Sequence, residues 1–279
     1  MTAVSIMQGR LLPPFDGRFQ AFPADGWREE FPRAHAAGLH SIEWIYEVPF
    51  ESGNPLGTDA GLAEMKALSA RHGVAVRSIC ADYYMSRRLV GADAKPDRTV
   101  AGHLEWLIGR AGLLGATYMV LPFVDASSLK TGGEREALAE VLRQVLPRAE
   151  AAGVELHLET DLPPALFAGV LGRVNHPFLR ANYDIGNSAS LGYDPAEELD
   201  AIGPFLGSVH VKDRVRGGGT VPLGTGSADF ATCFRKIVDA GFDRWFVLQA
   251  ARGPDGGEVD LARDNRVFVE DWLARTRGD

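Results

Sequence analysis

Five times along this chain a helix-like segment reaches a glycine and then runs directly into an apolar, strand-like stretch: Ala37-Gly38, His72-Gly73, Leu114-Gly115, Ala152-Gly153 and Ala240-Gly241. Glycine suits the left-handed position that closes a helix. The phrase marks a repeated βα unit rather than a sequence repeat proper. Apolar runs expected as strands fall at 3–8, 41–45, 74–80, 117–122, 154–158, 179–184, 207–211 and 245–248. Helical patterns lie between them, at 28–37, 61–72, 98–114, 133–152, 164–174, 194–202, 228–240 and 259–275. The longest carries Leu138, Val141, Leu142, Val145 and Leu146 at helical spacing.

Strands that alternate with helices build a parallel sheet, because each parallel connection needs a long crossover. Eight such units in order predict an α/β fold, a (β/α)8 TIM barrel forming a single domain over 1–279. The rival is an open doubly wound sheet. It is disfavoured because no glycine fingerprint follows the first strand and because polar residues recur at the C-terminal tips of many strands. With 46% hydrophobic residues, the chain can pack a core of that size. The long loop over 11–27 carries Phe15, Phe19, Phe22 and Trp27. These are expected either as an apolar wall over the site or as ordinary loop packing.

A net charge of -8 argues against a nucleic-acid backbone as partner. No run reaches the roughly 18 apolar residues that would mark a membrane span. The start, Met1-Thr-Ala-Val-Ser-Ile-Met-Gln-Gly-Arg10, lacks a basic region followed by an apolar one. Cys80 and Cys233 are isolated. A cytoplasmic location is therefore expected, with homo-oligomerisation left open. The closing Thr276-Arg-Gly-Asp279 is expected to be a frayed end rather than an adhesion motif.

Chemistry concentrates at four strand tips: Glu159 in Val154-Glu-Leu-His-Leu-Glu-Thr160, Asp184 in Arg180-Ala-Asn-Tyr-Asp184, His210 in Ser208-Val-His210, and Gln249 in Phe246-Val-Leu-Gln249. Alternate residues of a strand share a face, so Glu155, His157 and Glu159 are expected to point into the lumen while Val154, Leu156 and Leu158 meet the helices. A buried carboxylate costs several kcal/mol unless it is paired or coordinated. Two carboxylates, an imidazole and an amide oxygen can hold a divalent ion. Mn2+ suits the set best, with Mg2+, Co2+ or Zn2+ as alternatives.

The sequence also resembles the xylose-isomerase-like barrel superfamily of sugar phosphate isomerases and epimerases. The motifs His-Leu-Glu159, Asn-Tyr-Asp-Ile-Gly-Asn187, Val-His-Val-Lys-Asp213 and the stretch from Val221 to Phe230 carry the resemblance. Within it, His-Val-Lys-Asp followed by Pro-x-Gly-x-Gly is similar to the pentulose-5-phosphate 3-epimerases. The resemblance implies a small carbohydrate substrate and four metal ligands at Glu159, Asp184, His210 and position 249. In the family the first and last ligands are also the acid/base pair. This chain departs there, because Gln249 replaces the usual glutamate and an amide cannot transfer a proton at neutral pH. Glu159 is then the expected base, with Lys212 or Glu43 as candidate replacements for the second.

Further expectations concern the substrate. Glu43 is expected in the pocket or in a surface ion pair. Asp82 either bonds a sugar hydroxyl or caps the next turn. Asn187 either faces the substrate or caps a helix. Lys212 is expected as an anion clamp or in an ion pair with a lumen carboxylate. Arg216 and Arg252 sit in the loops where such barrels bind phosphate. The glycine-rich stretches at 217–219 and 223–226 could present amides to an anion. A lyase using the same enolate, an abasic-site endonuclease and a sugar-binding protein with little turnover are the competing functions. The net charge opposes the endonuclease.

Overall fold

The computed structural model describes residues 3–278. Eight strands close into a parallel ring: β1 (Ala3–Met7), β2 (Ser41–Ile45), β3 (Ala75–Cys80), β4 (Tyr118–Phe123), β5 (Glu155–Thr160), β6 (Leu179–Asp184), β7 (Leu206–Val211) and β8 (Trp245–Leu248). Each pairs with its sequence neighbours, and β8 returns to β1 through the register Ala3↔Trp245 to Ile6↔Leu248. The expected barrel is the fold, and the strand and helix bounds agree with expectation to within two residues.

The agreement has local causes. Gly73, Gly115 and Gly153 take φ of 65, 93 and 68° and close the helices Asp59–His72, Arg98–Leu114 and Gly132–Ala152. At the start of the last of these, Thr131 and Glu134 bond each other's backbone N–H, satisfying donors that a helix cannot satisfy itself. Three elements escaped the apolar patterns. The helix Ile185–Leu191 is small and polar between its two ends and begins because the Asp184 carboxylate accepts from Asn187 N–H. The turn Tyr83–Ser86 is only four residues long. The ribbon pairing Asp213–Arg214 with Thr220–Val221 has two residues per strand. The expected fraying is not seen at Thr276 and Arg277, which continue the helix Glu258–Arg277 up to its cap at Gly278. Asp279 lies outside the described residues, as do Met1 and Thr2.

Outside the ring the core is apolar. Trp44 is fully buried, with the rings of Phe22, Trp27 and Phe31 centred 5.9, 5.5 and 6.1 Å from it. Leu156 and Leu158 are equally buried. Inside, the lumen is polar: Glu43, Ser78, His157, Asn182, Ser208 and His210 are all buried and bond across it. The parity expected for β5 therefore holds.

Two irregularities adjust which residues face inward. Pairing of β6 with β7 skips Gly207, bringing Asn182 opposite Ser208 and Asp184 opposite His210. Pairing of β2 with β3 skips Arg77 and sets Glu43 opposite Ser78. Gly207 is needed where it stands, since a Cβ there would lie 2.6 Å from both His157 Cε1 and Arg180 Cβ. Gly207→Ala should therefore destabilise the barrel by about 1–3 kcal/mol through overpacking. Denaturant unfolding checks this; an unchanged midpoint would show that the His157 ring can yield.

Candidate metal centre

Glu159, Asp184 and His210 end neighbouring strands, and their ligand atoms lie within 4.8 Å of one another. All three residues are buried. His210 Nε2 lies 2.7 Å from Glu43 Oε1, and Ser78 Oγ donates to the other Glu43 oxygen at 2.7 Å. Glu43 has no solvent contact, so the imidazole keeps a hydrogen on Nε2. Its Nδ1 faces Glu159 Oε2 at 3.1 Å and Asp184 Oδ2 at 3.9 Å, yet makes no well-directed hydrogen bond. Burial alone would lower the pKa of His210. The charge of Glu43 and the contacts with Glu159 outweigh that, holding a proton on the ring up to about 10.

Gln249 follows β8 and lines the same cavity as Glu159. Its neighbours fix its orientation. Gln20 donates from Nε2 to Asp82 Oδ2 at 2.8 Å, and its oxygen accepts from Arg10 at 3.2 Å. That oxygen also accepts from Gln249 Nε2 at 2.9 Å. The Gln249 amide nitrogen is thereby committed to Gln20, and its buried Oε1 has no hydrogen-bond partner. An unpaired buried polar atom costs roughly 1–3 kcal/mol. Two of them stand here: His210 Nδ1, which faces Glu159 and Asp184 and offers a lone pair once it gives up its proton, and Gln249 Oε1, a lone-pair donor in the cavity that Glu159 lines. The residues present fit a divalent ion.

Glu159 is held as a pure acceptor by Asn182 Nδ2 at 2.9 Å and Asn187 Nδ2 at 2.8 Å. Lys212 Nζ bonds Asp184 Oδ2 at 2.8 Å, so its carboxylate partner is Asp184 rather than Glu159. Asn187 lines the cavity; the helix cap beside it is Asp184. Asp82 also lines the cavity and makes no capping bond. His157 lies deeper, stacked on Tyr118 at 4.4 Å and bonded to Ser208 at 2.8 Å, an interior histidine.

Several expectations are corrected. Glu43 neither contacts the cavity nor makes a surface ion pair, because full burial confines it to orienting His210. Arg216 is exposed and packs over Gly192, outside the cavity lining. Arg252 donates to Phe19 O at 2.8 Å and Leu12 O at 3.0 Å, clamping the loop after β1 beside a separate cleft. The glycine-loop amides already have an anion: Gly224 and Gly226 donate to Asp213 at 2.9 and 2.8 Å. Phe22 and Trp27 are core, Phe15 packs on Phe50, and Phe19 alone of the four lines the cavity.

The arginines in the cavity are Arg214 and Arg18. Arg214 donates to Asn187 Oδ1 at 3.0 Å and to Gly218 O. It was findable, since it continues the alternation His210, Lys212, Arg214. Arg18, paired with Glu47 at 2.5 Å, and Gln20 sit in an irregular loop where no period reports direction.

A family model described as xylose isomerase-like TIM barrel matches residues 31–271. The L-ribulose-5-phosphate 3-epimerase UlaE of Escherichia coli O157:H7 is 27% identical over 262 residues, covering 88% of this chain and 90% of that protein. Among solved structures, an L-ribulose 3-epimerase superposes with a TM-score of 0.74 at 19% identity, covering 99% of this chain and 96% of the other. A xylose isomerase-like TIM barrel protein from Mycobacterium smegmatis in complex with magnesium gives 0.73 at 20% identity, covering 99% and 97%. The structural likenesses share this fold.

A proton on His210 competes with an ion for Nδ1, so divalent-ion affinity should rise with pH across the neutral range. Calorimetric titration in two buffers of different ionisation enthalpy should show about one proton released per ion. Glu43→Gln, which removes the charge that raises the ring's pKa, should reduce the proton released per ion near neutrality and, at alkaline pH where proton competition is gone, weaken affinity about 10- to 100-fold. Equal binding by the variant would separate His210 from the ion.

Proposed function

The chain belongs to the xylose isomerase-like TIM barrel family, and on that premise we propose that it is a divalent-metal-dependent isomerase or epimerase of a small keto-sugar or its phosphate. The observation that carries this is His210 Nδ1, unpartnered and buried between the carboxylates of Glu159 and Asp184, with Gln249 Oε1 unpartnered in the cavity that Glu159 lines. One nitrogen and three oxygen donors favour Mn2+, with Mg2+, Co2+ or Zn2+ as alternatives. A bound ion supplies polarisation of a substrate carbonyl and its neighbouring hydroxyl.

The chain's own residues supply the proton chemistry. Glu159 removes the proton from the carbon beside the carbonyl. Its two amide donors are neutral, so they fix the carboxylate without neutralising it. Lys212, lining the cavity beside Asp184, donates to a substrate oxygen on which charge gathers. Asn187 and Arg214 line the same cavity and take the remaining hydroxyls. The epimerase name of the UlaE relative supports this class of chemistry. The net charge of -8 supports a small carbohydrate over nucleic acid as the partner. No described helix is long and apolar enough to cross a membrane, and we place the enzyme in the cytoplasm.

Gln249 favours one second reading, a lyase that forms the same enolate and then expels a hydroxyl, because elimination does not require a carboxylate at that tip. Incubation with ketoses and ketose phosphates in deuterated water with Mn2+ separates the readings. Label entering beside the carbonyl with the carbon skeleton intact supports the isomerase, and loss of water supports the lyase. Glu159→Gln should lower exchange by about 10²- to 10⁴-fold. Exchange that persists in that variant would remove Glu159 as the base.

A further inference from the structure

The isomerase reading, on which this inference rests, leaves one face of the substrate without a proton-transfer group, because Gln249 cannot supply it. Other titratable side chains line the cavity, and most are committed. Glu47 is bound by both Arg18 guanidinium nitrogens and by Phe22 N–H. Lys212 is bonded to Asp184. Arg214 holds Asn187 and Gly218. Burial pushes the Cys80 thiol well above its ordinary range, with Asp82, Glu43 and Glu159 adding to the shift. Asp125 is exposed at the rim.

Asp82 differs from all of these. Its two bonds come from neutral donors, Gln20 Nε2 at 2.8 Å and Cys80 Sγ at 3.2 Å. Among the described residues it has no ion-pair partner, so it can gain or lose a proton without breaking one. It stands at the tip of β3, two places round the ring from β5 and Glu159. Through Gln20 it is joined to Gln249, the position that lacks the carboxylate.

We propose that Asp82 is the second proton-transfer group of this site, acting on the substrate face opposite Glu159. Glu159 takes the proton from the carbon beside the carbonyl, and the C–H electron pair passes into the enediolate. The carboxylic acid of Asp82 then gives its proton to the same carbon from the other side and is left as carboxylate. The reverse reaction exchanges the roles, and water restores both groups. Burial, reinforced by Glu47 and Glu159, raises Asp82 to about 6, while Gln20 and Cys80 pull it down. Arg10 is the nearby cation that feels its charge. A carboxyl group titrating there can serve as acid and as base near neutrality.

Asp82→Asn, with metal content and melting temperature checked against wild type, should lose epimer inversion by at least about 100-fold. Solvent deuterium should still enter one epimer, the one Glu159 deprotonates. Adding Gln249→Glu to that variant should restore inversion. In wild type the pH–rate profile should carry a limb near 6. Gln20→Leu, which removes a bond that stabilises the Asp82 carboxylate, should move that limb upward. Inversion within threefold of wild type in Asp82→Asn, or exchange and inversion falling together in a folded, metal-loaded variant, overturns the assignment; so does a limb unmoved by Gln20→Leu. Wild type that exchanges no ketose proton at all defeats the isomerase reading itself, and the assignment with it.

Discussion

An imidazole offers a lone pair from only one of its nitrogens, and in this barrel Glu43 decides which. The carboxylate lies across the lumen from His210, without solvent contact, and holds Nε2 at 2.7 Å. Two consequences follow. The free nitrogen is turned toward Glu159 and Asp184, and the negative charge behind the ring makes that nitrogen a stronger donor. Glu43 can do this because a skipped residue in β3 sets it opposite Ser78, whose hydroxyl takes its second oxygen. A ring of strands without that irregularity would lose the contact, since a one-residue slip turns side chains to the other face.

The same lumen explains how two buried carboxylates are tolerated. Glu159 is bonded to Asn182, Asn182 to Ser208, and Ser208 to His157. His157 continues to Glu155, whose carboxylate meets Arg244 at the N-terminal mouth. The column satisfies each polar group with a neighbour rather than with water, so the tips above it are held in fixed directions. Fully satisfied networks of this kind rigidify a core, while one missing member leaves a costly orphan. Two of the buried unpartnered atoms among the described residues, His210 Nδ1 and Gln249 Oε1, lie toward the end where the cavity opens.

Much of this was legible in the sequence because two periods report direction. The alternation within β5 placed Glu159 inside and Leu158 outside, and the glycine stops located the helix ends. The strand tips at Glu159, Asp184 and His210 followed from adding those two facts. What escaped was whatever depends on partners distant in sequence. Glu43 has the parity of a cavity residue but lies one layer too deep, and strand spacing does not report depth. Arg252 occupies a position suited to phosphate, yet backbone carbonyls of the first loop claim it. Gln20 lies in an irregular stretch, so nothing in its neighbourhood distinguishes it from Phe19 or Phe22.

The clamp on that first loop also bears on how the protein is made. Arg10 reaches Ala250, Gln20 reaches Gln249, and Arg252 reaches Leu12 and Phe19, at sequence separations of 229 to 240 residues. A chain emerging from the ribosome presents the loop among its first residues and the clamp among its last. Until β8 is released, β1 lacks one of its two neighbours and the loop lacks the contacts with Gln249, Ala250 and Arg252. Closing contacts across so long a stretch is the slow, entropically costly part of folding. The orientation of Gln249 is therefore settled only when the barrel closes, so a nascent chain that already holds Glu159, Asp184 and His210 still lacks this amide in the cavity wall. The cavity that Glu159 and Gln249 line is thus complete only once β8 has been released and paired.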